Sequence, residues 1–190
     1  MSSPAADRVS DRALVLYAFV RRASIEYAVG EFGHDPQRVG QAETARRETS
    51  HWLAREGLAD APTETERTLL EADSGTWPAS AIADGMWRKE ALGVLLWALR
   101  HVEGLPAIDE EFEFSVLHER IERYGSVSAF RANGALRAVE ELETAWREAD
   151  TWLGATEGRG GDDATLASIS AERARALAWV LDETGERPTA

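Results

Sequence analysis

Over every long stretch of the chain the apolar residues recur at spacings of three and four. From Asp7 to about Ala28, the stripe Leu14, Tyr17, Ala18, Arg21 and Ile25 predicts a helix, which Leu16, Phe19 and Val20 widen into one buried on more than one side. Gly30, Gly33 and Asp35-Pro36 predict a break, followed by a polar surface helix from Pro36 to about Glu56. Its narrow stripe is Val39, Ala42, Ala45, Thr49 and Trp52. Thr63-Glu64-Thr65-Glu66 reads as a capping box opening a short helix to about Ala72, and Asp73 to Pro78 as a turn. A central helix is expected from about Ser80 to Val102, ended by Gly104 and Pro106. Beyond an acidic, aromatic connection at Ile108 to Phe114, the pattern predicts a short helix over Val116 to Tyr124 and a turn around Ser126 to Phe130. Long helices follow over Leu136 to Leu153 and about Ser168 to Glu183. Period-two alternation is missing over any convincing length. The expected class is therefore all-α, one domain over 1–190 with six to eight helices, a flexible Gly/Asp loop at 157–164 and a frayed tail at 185–190.

The central helix poses the main question. Trp87, Glu90, Ala91, Val94, Trp97 and His101 share one side of it, while Leu92, Leu95, Leu96 and Leu99 cover the rest. A carboxylate on so apolar a helix must be paired, protonated or bound to something. Arg137 and Arg173 are the leading partners for Glu90, with Arg12 and Arg21 as others. The last helix repeats the grammar: Glu172, Leu177, Trp179 and Leu181 align with Glu90, Leu95, Trp97 and Leu99. Two readings stay open. Trp87, Glu90, Trp97, Arg137, Glu172 and Arg173 line a ligand pocket, or the glutamate makes an ion pair that seats a core helix.

Composition narrows the function classes. A chain of 190 residues, 44% hydrophobic and with seven tryptophans, has ample material for a core. The longest apolar run, Ala91 to Leu99, is far short of a membrane span, and the N-terminus shows no basic leader before an apolar segment, so a cytoplasmic protein is expected. The lack of cysteine fits a reducing compartment and removes thiolate chemistry. A net charge of −13, with 34 acids against 21 bases, disfavours nucleic acid and favours a basic protein partner. Lys89 is the sole lysine, leaving nearly all positive charge as guanidinium.

Motifs with chemistry of their own are missing: no phosphate-binding glycine loop with a lysine-serine pair, no nucleophile elbow, no helical histidine pair with a glutamate. His34, His51, His101 and His118 fall on separate elements and read as surface or half-buried polar residues. Glu119 and Glu122 would bind a hard cation only if a second helix supplied more oxygen ligands. Neither a metal nor a cofactor is expected.

Trp87 to Leu99, WRKEALGVLLWAL, followed by Glu103, Leu105 and Pro106, resembles the hallmark of the domain of unknown function family 4272, a bacterial group. The similarity continues in order through Arg12-Ala-Leu-Val-Leu, the Thr63 and Glu66 cap, Leu136-Arg137 with Trp152, and Glu172-Arg173 to Trp179. It weakens at the C-terminal end, which lacks the Trp-Asp and Asp-Thr pairs that the family would place beyond the last helix. The resemblance implies a shared fold and carries over no catalytic residue, substrate or partner. The functional expectation is a non-catalytic binding or protein-interaction module with an acidic surface; the alternative is a small-molecule-binding domain or enzyme with a Glu/Arg/Trp-lined pocket.

Overall fold

Short polar side chains set where several helices begin. Asp35 accepts from the amides of Gln37 and Arg38, with Pro36 at the first helical position. Thr63 and Glu66 form the expected capping box: the Thr63 hydroxyl accepts from the Glu66 amide at 3.3 Å, and the Glu66 carboxylate accepts from the Thr63 amide at 3.0 Å. Ser126 accepts from the Ala129 amide at 3.2 Å. In the computed structural model, which describes residues 3–156 and 163–185, the chain is all-α. The elements are α1 (Pro4–Phe32), α2 (Pro36–Arg55), α3 (Glu64–Glu71), α4 (Ala79–Ala98), α5 (Phe114–Glu122), α6 (Val127–Asn133), α7 (Val139–Thr156) and α8 (Asp163–Thr184). The described residues contain no strand, and none of their helices is long and apolar enough to cross a membrane.

The elements differ from expectation most clearly at α1, α4, α6, α7 and the start of α8. α1 runs through Gly30 and stops only at the turn before Asp35. α4 ends at Ala98, four residues before the predicted stop: Arg100 takes a left-handed φ of 64°, and the amides of Arg100 and His101 return to the carbonyls of Trp97 and Leu96. This is a Schellman cap with arginine in the place usually given to glycine. The turn expected at Ser126 to Phe130 is instead the start of α6, whose Ser126 cap was not read from the sequence. α7 begins three residues later than predicted, because the segment before it is occupied in capping α4. Of the loop expected at 157–164, Asp163 and Ala164 open α8 and the rest lies outside the described residues, as does the tail beyond Gly185.

The chain divides into two compact units, and the division passes through α1 and α4. In the unit Leu14–Arg88, Tyr17 meets Trp52 edge-on with ring centroids 5.8 Å apart, and Phe19 packs on Trp77 at 5.1 Å. In the unit Met1–Ala13 with Lys89–Ala190, α7 lies along α8. Leu142 and Ala149 of α7 are buried, as are Ile169, Leu177 and Leu181 of α8. Every residue of α4 from Glu90 to Ala98 is buried, so this part of the predicted central helix offers no face to water.

Candidate functional site

Glu90 is fully buried, at 0% exposure, and both of its oxygens are in use. Oε1 accepts from the Phe112 amide at 2.8 Å; Oε2 accepts from Arg173 Nε at 2.9 Å and lies 2.9 Å from its Nη2. Burial pushes the Glu90 carboxyl above its ordinary range, against the pull of the Phe112 amide and the Arg173 guanidinium. Since both partners can only donate, the carboxylate is the form that satisfies them. Arg173 spends its remaining donors on one loop, with Nη1 reaching the carbonyls of Pro106 and Ala107 at 3.0 and 3.2 Å and Nη2 the Glu110 carbonyl at 2.5 Å. The Phe112 ring closes the arrangement, 5.2 Å below the guanidinium carbon and against Gly93, one turn beyond Glu90 on α4. A Cβ on Gly93 would come within 2.3 Å of that ring, so only glycine admits it. Glu90 and Arg173 thus form a clasp that fastens the connection 106–112 to α4 and α8.

The other residues expected around Glu90 do different work. Arg137 never reaches it. Its Nε donates to the Trp97 carbonyl at 2.8 Å and its Nη2 to the carbonyls of Val102 and Glu103 at 3.3 and 2.7 Å, while its own amide donates to Ala98 at 2.9 Å. The Trp97 and Ala98 carbonyls belong to the last turn of α4 and those of Val102 and Glu103 to the segment beyond it, so Arg137 caps α4 and ties down the chain that leaves it. Its guanidinium also stacks on the Trp97 ring at 4.7 Å and, through a hydrogen bond to Glu141, holds that carboxyl below its ordinary range. Glu172 is half-buried and pairs with Arg175 three residues on; its alignment with Glu90 therefore does not give it the same surroundings. Trp87 lies half-buried on α4, in the unit Leu14–Arg88. Arg21, offered as a partner for Glu90, is 3.9 Å from Glu48. Of the six expected site residues, the structure brings Glu90 and Arg173 into direct contact, and joins Arg137 to Trp97 separately.

A second clasp in the unit Leu14–Arg88 escaped the sequence reading. Arg22 and Glu26, both about 1% exposed, pair across one turn of α1. Glu26 accepts from the amides of Gly75, at 2.9 and 3.0 Å, and of Trp77 at 3.0 Å; Arg22 donates to the carbonyls of Ala72 and Asp73 at 2.9 and 3.2 Å. Trp77 lies 5.3 Å from the Arg22 guanidinium carbon and 3.3 Å from where a Cβ on Gly85 would stand. Ser74, in the same loop, donates to Glu43, whose carboxyl is held well below its ordinary range by Arg46 first and Ser74 next. The recipe matches the first clasp: carboxylate on loop amides, guanidinium on loop carbonyls, then an aromatic ring against a helix glycine. Arg22 and Glu26 were readable as an i,i+4 pair just after the apolar run Ala13 to Val20 of α1, which is the signal that would have found them.

His101 is a third buried polar group, 3% exposed instead of on the surface or half-buried as expected. Arg123 Nη2 donates to the Tyr124 hydroxyl at 2.7 Å, which leaves that hydroxyl to donate to His101 Nδ1 at 2.8 Å. The ring stacks on Phe130 at 4.3 Å, and Nε2 finds no partner among the described residues. Burial, with the Arg123 charge, lowers the His101 pKa from 6.5 to about 4. Between these values unfolding lets His101 take up a proton that the folded chain refuses, so the His101 contribution to stability must fall as pH drops from 6.5 and level off below about 4. The loss is roughly 3 kcal/mol for a shift of this size. Urea titrations across this range should show it, and His101→Gln should flatten the slope; a wild-type slope that His101→Gln leaves intact would assign the effect elsewhere.

Among the described residues, no group of three or more histidines, aspartates or glutamates is placed to hold a metal ion, and Glu119 and Glu122 gain no third ligand. What the geometry offers is two closed clasps and a set of helix caps. Neither a curated protein nor a solved structure matches the chain. A match to the family described as Domain of unknown function (DUF4272) covers residues 1–187 and so takes in the C-terminal end. It includes both clasps, from Arg22 and Glu26 to Glu90 and Arg173, and the chain belongs to this family.

Proposed function

We propose that the protein is a non-catalytic binding module of the bacterial cytoplasm that takes a basic protein partner on its acidic surface, with the connection fastened by the Glu90–Arg173 clasp as the presenting edge. One observation carries the reading: Arg173 and Glu90 grip the backbone of 106–112 from inside while Asp109, Glu110, Glu111 and Glu113 are exposed outside. Lys89 meets Glu111 at 2.5 Å, and Glu119 on α5 is exposed as well. A fixed row of carboxylates loses little freedom on meeting a basic surface. The competing pocket reading would need Glu90 open to a ligand, yet its oxygens are buried and occupied by the Phe112 amide and Arg173.

The test is co-purification followed by a salt titration of any partner recovered. The partner should be basic, and its affinity should fall at least about tenfold between roughly 0.05 and 0.5 M salt. Asp109→Lys with Glu113→Lys should weaken it further without unfolding the chain, because the clasp grips backbone groups and neither side chain. A complex indifferent to salt and to both substitutions contradicts the reading.

A further inference from the structure

Beyond the partner surface, α1 and α2 enclose an apolar groove of about 460 Å³ within the unit Leu14–Arg88. Ile25, Val29 and Phe32 of α1 face Val39, Ala42 and Ala45 of α2 across it. The cause lies in the α2 stripe. Thr49 and Leu53 are buried, but Val39, Ala42 and Ala45, too small to fill the space opposite α1, stay half-buried. The volume lies within the range of small-molecule sites, and from Arg21 to Phe32 the helix rise gives a length of roughly 16 Å.

Charge narrows the occupant. In a chain with 34 acids and 21 bases no carboxylate is among the described residues that line the groove, whereas Arg21 and Arg38 stand at its two ends, with Glu48 3.9 Å from Arg21 and Asp35 3.5 Å from Arg38 just outside it. Arg38 lies over the Phe32 ring at 4.1 Å and pairs with Asp35, with the positive end of the α2 dipole beside it. We infer that this groove binds a single-chain amphiphile, the alkyl tail along Ile25, Val29 and Ala42 and the anionic head, carboxylate or phosphate, on Arg38. Burying the tail supplies the affinity, and the guanidinium selects the charge.

Calorimetric titration of the full chain with dodecanoate, below its micelle concentration, should give saturable one-to-one binding with the helical circular dichroism intact. Dodecanol should bind at least about tenfold more weakly, the value of one charge-assisted hydrogen bond. Running dodecyl phosphate beside dodecanoate identifies the preferred head. Ala42→Phe should abolish binding by filling the groove; if that variant loses its helical signal, Arg38→Gln decides, and it should reduce dodecanoate to the affinity of dodecanol. The inference is overturned by any one of three results: neither anion binds saturably, dodecanol binds as well as dodecanoate, or a folded Ala42→Phe binds like the wild type. These results leave the basic-partner reading untouched, since no residue is shared.

Discussion

Glu90→Gln is expected to lower the unfolding free energy by roughly 3–5 kcal/mol, a large share of what a domain of this size possesses. The side chain is nearly isosteric, so the loss is electrostatic. Gln would leave the Arg173 guanidinium, 2% exposed, buried beside neutral carbonyls alone. It would also set its NH2 against one of two groups that can only donate, the Phe112 amide and Arg173. Urea unfolding gives the number directly. A change below about 1 kcal/mol would mean that the pair is no clasp. Removing both charges with Glu90→Leu and Arg173→Met should cost less than the sum of the two single changes, as expected where the charges chiefly satisfy each other.

Glu26→Gln should be nearly as damaging, again roughly 3–5 kcal/mol. The glutamate is 1% exposed and serves the amides of Gly75 and Trp77 besides Arg22. Gln has one acceptor oxygen, with two lone pairs, for these three donors, so at least one of the Gly75 amide, the Trp77 amide and the Arg22 guanidinium would lose its partner. Amide exchange separates this from a general loss of stability: Gly75 and Trp77 should exchange faster in the variant by more than the fall in global stability accounts for. If they exchange in step with the α1 core, the carboxylate is not what holds the loop.

Much of this architecture was legible because it rests on periodicity and caps. The stripes of α1, α2, α7 and α8 announced helices, and Thr63 with Glu66 announced where α3 begins. Glu90 was conspicuous because an acid on an apolar helix needs a partner, and Arg173 was one of two arginines preferred for it. Choosing between Arg173 and Arg137 depended on how the loops after α4 run, and spacing carries no record of that: Arg137 was already occupied with the carbonyls of Trp97, in the last turn of α4, and of Glu103 beyond it. The aligned Glu172 shows the limit of local grammar, since Glu90 has Arg173 and a loop amide above it while Glu172 pairs with its neighbour Arg175 on the same helix. Arg22 and Glu26 stood in the sequence as an i,i+4 pair, but their hold on the 72–77 loop did not show, because it runs through main-chain groups, which leave no mark on residue type. The early stop of α4 had the same cause: a left-handed Arg100 ends the helix where the glycine signal pointed four residues further on.

The claim that joins structure to function is that Glu90 and Arg173 exist to fix the 106–112 connection. Hydrogen exchange at the Phe112 amide, measured in the wild type and in Glu90→Gln, tests it most directly. Strong protection is expected in the wild type, comparable to the buried α4 amides around Leu95, with a loss in the variant that exceeds the loss at Leu95. An unprotected Phe112 amide in the wild type, or equal losses at the two positions, would contradict it.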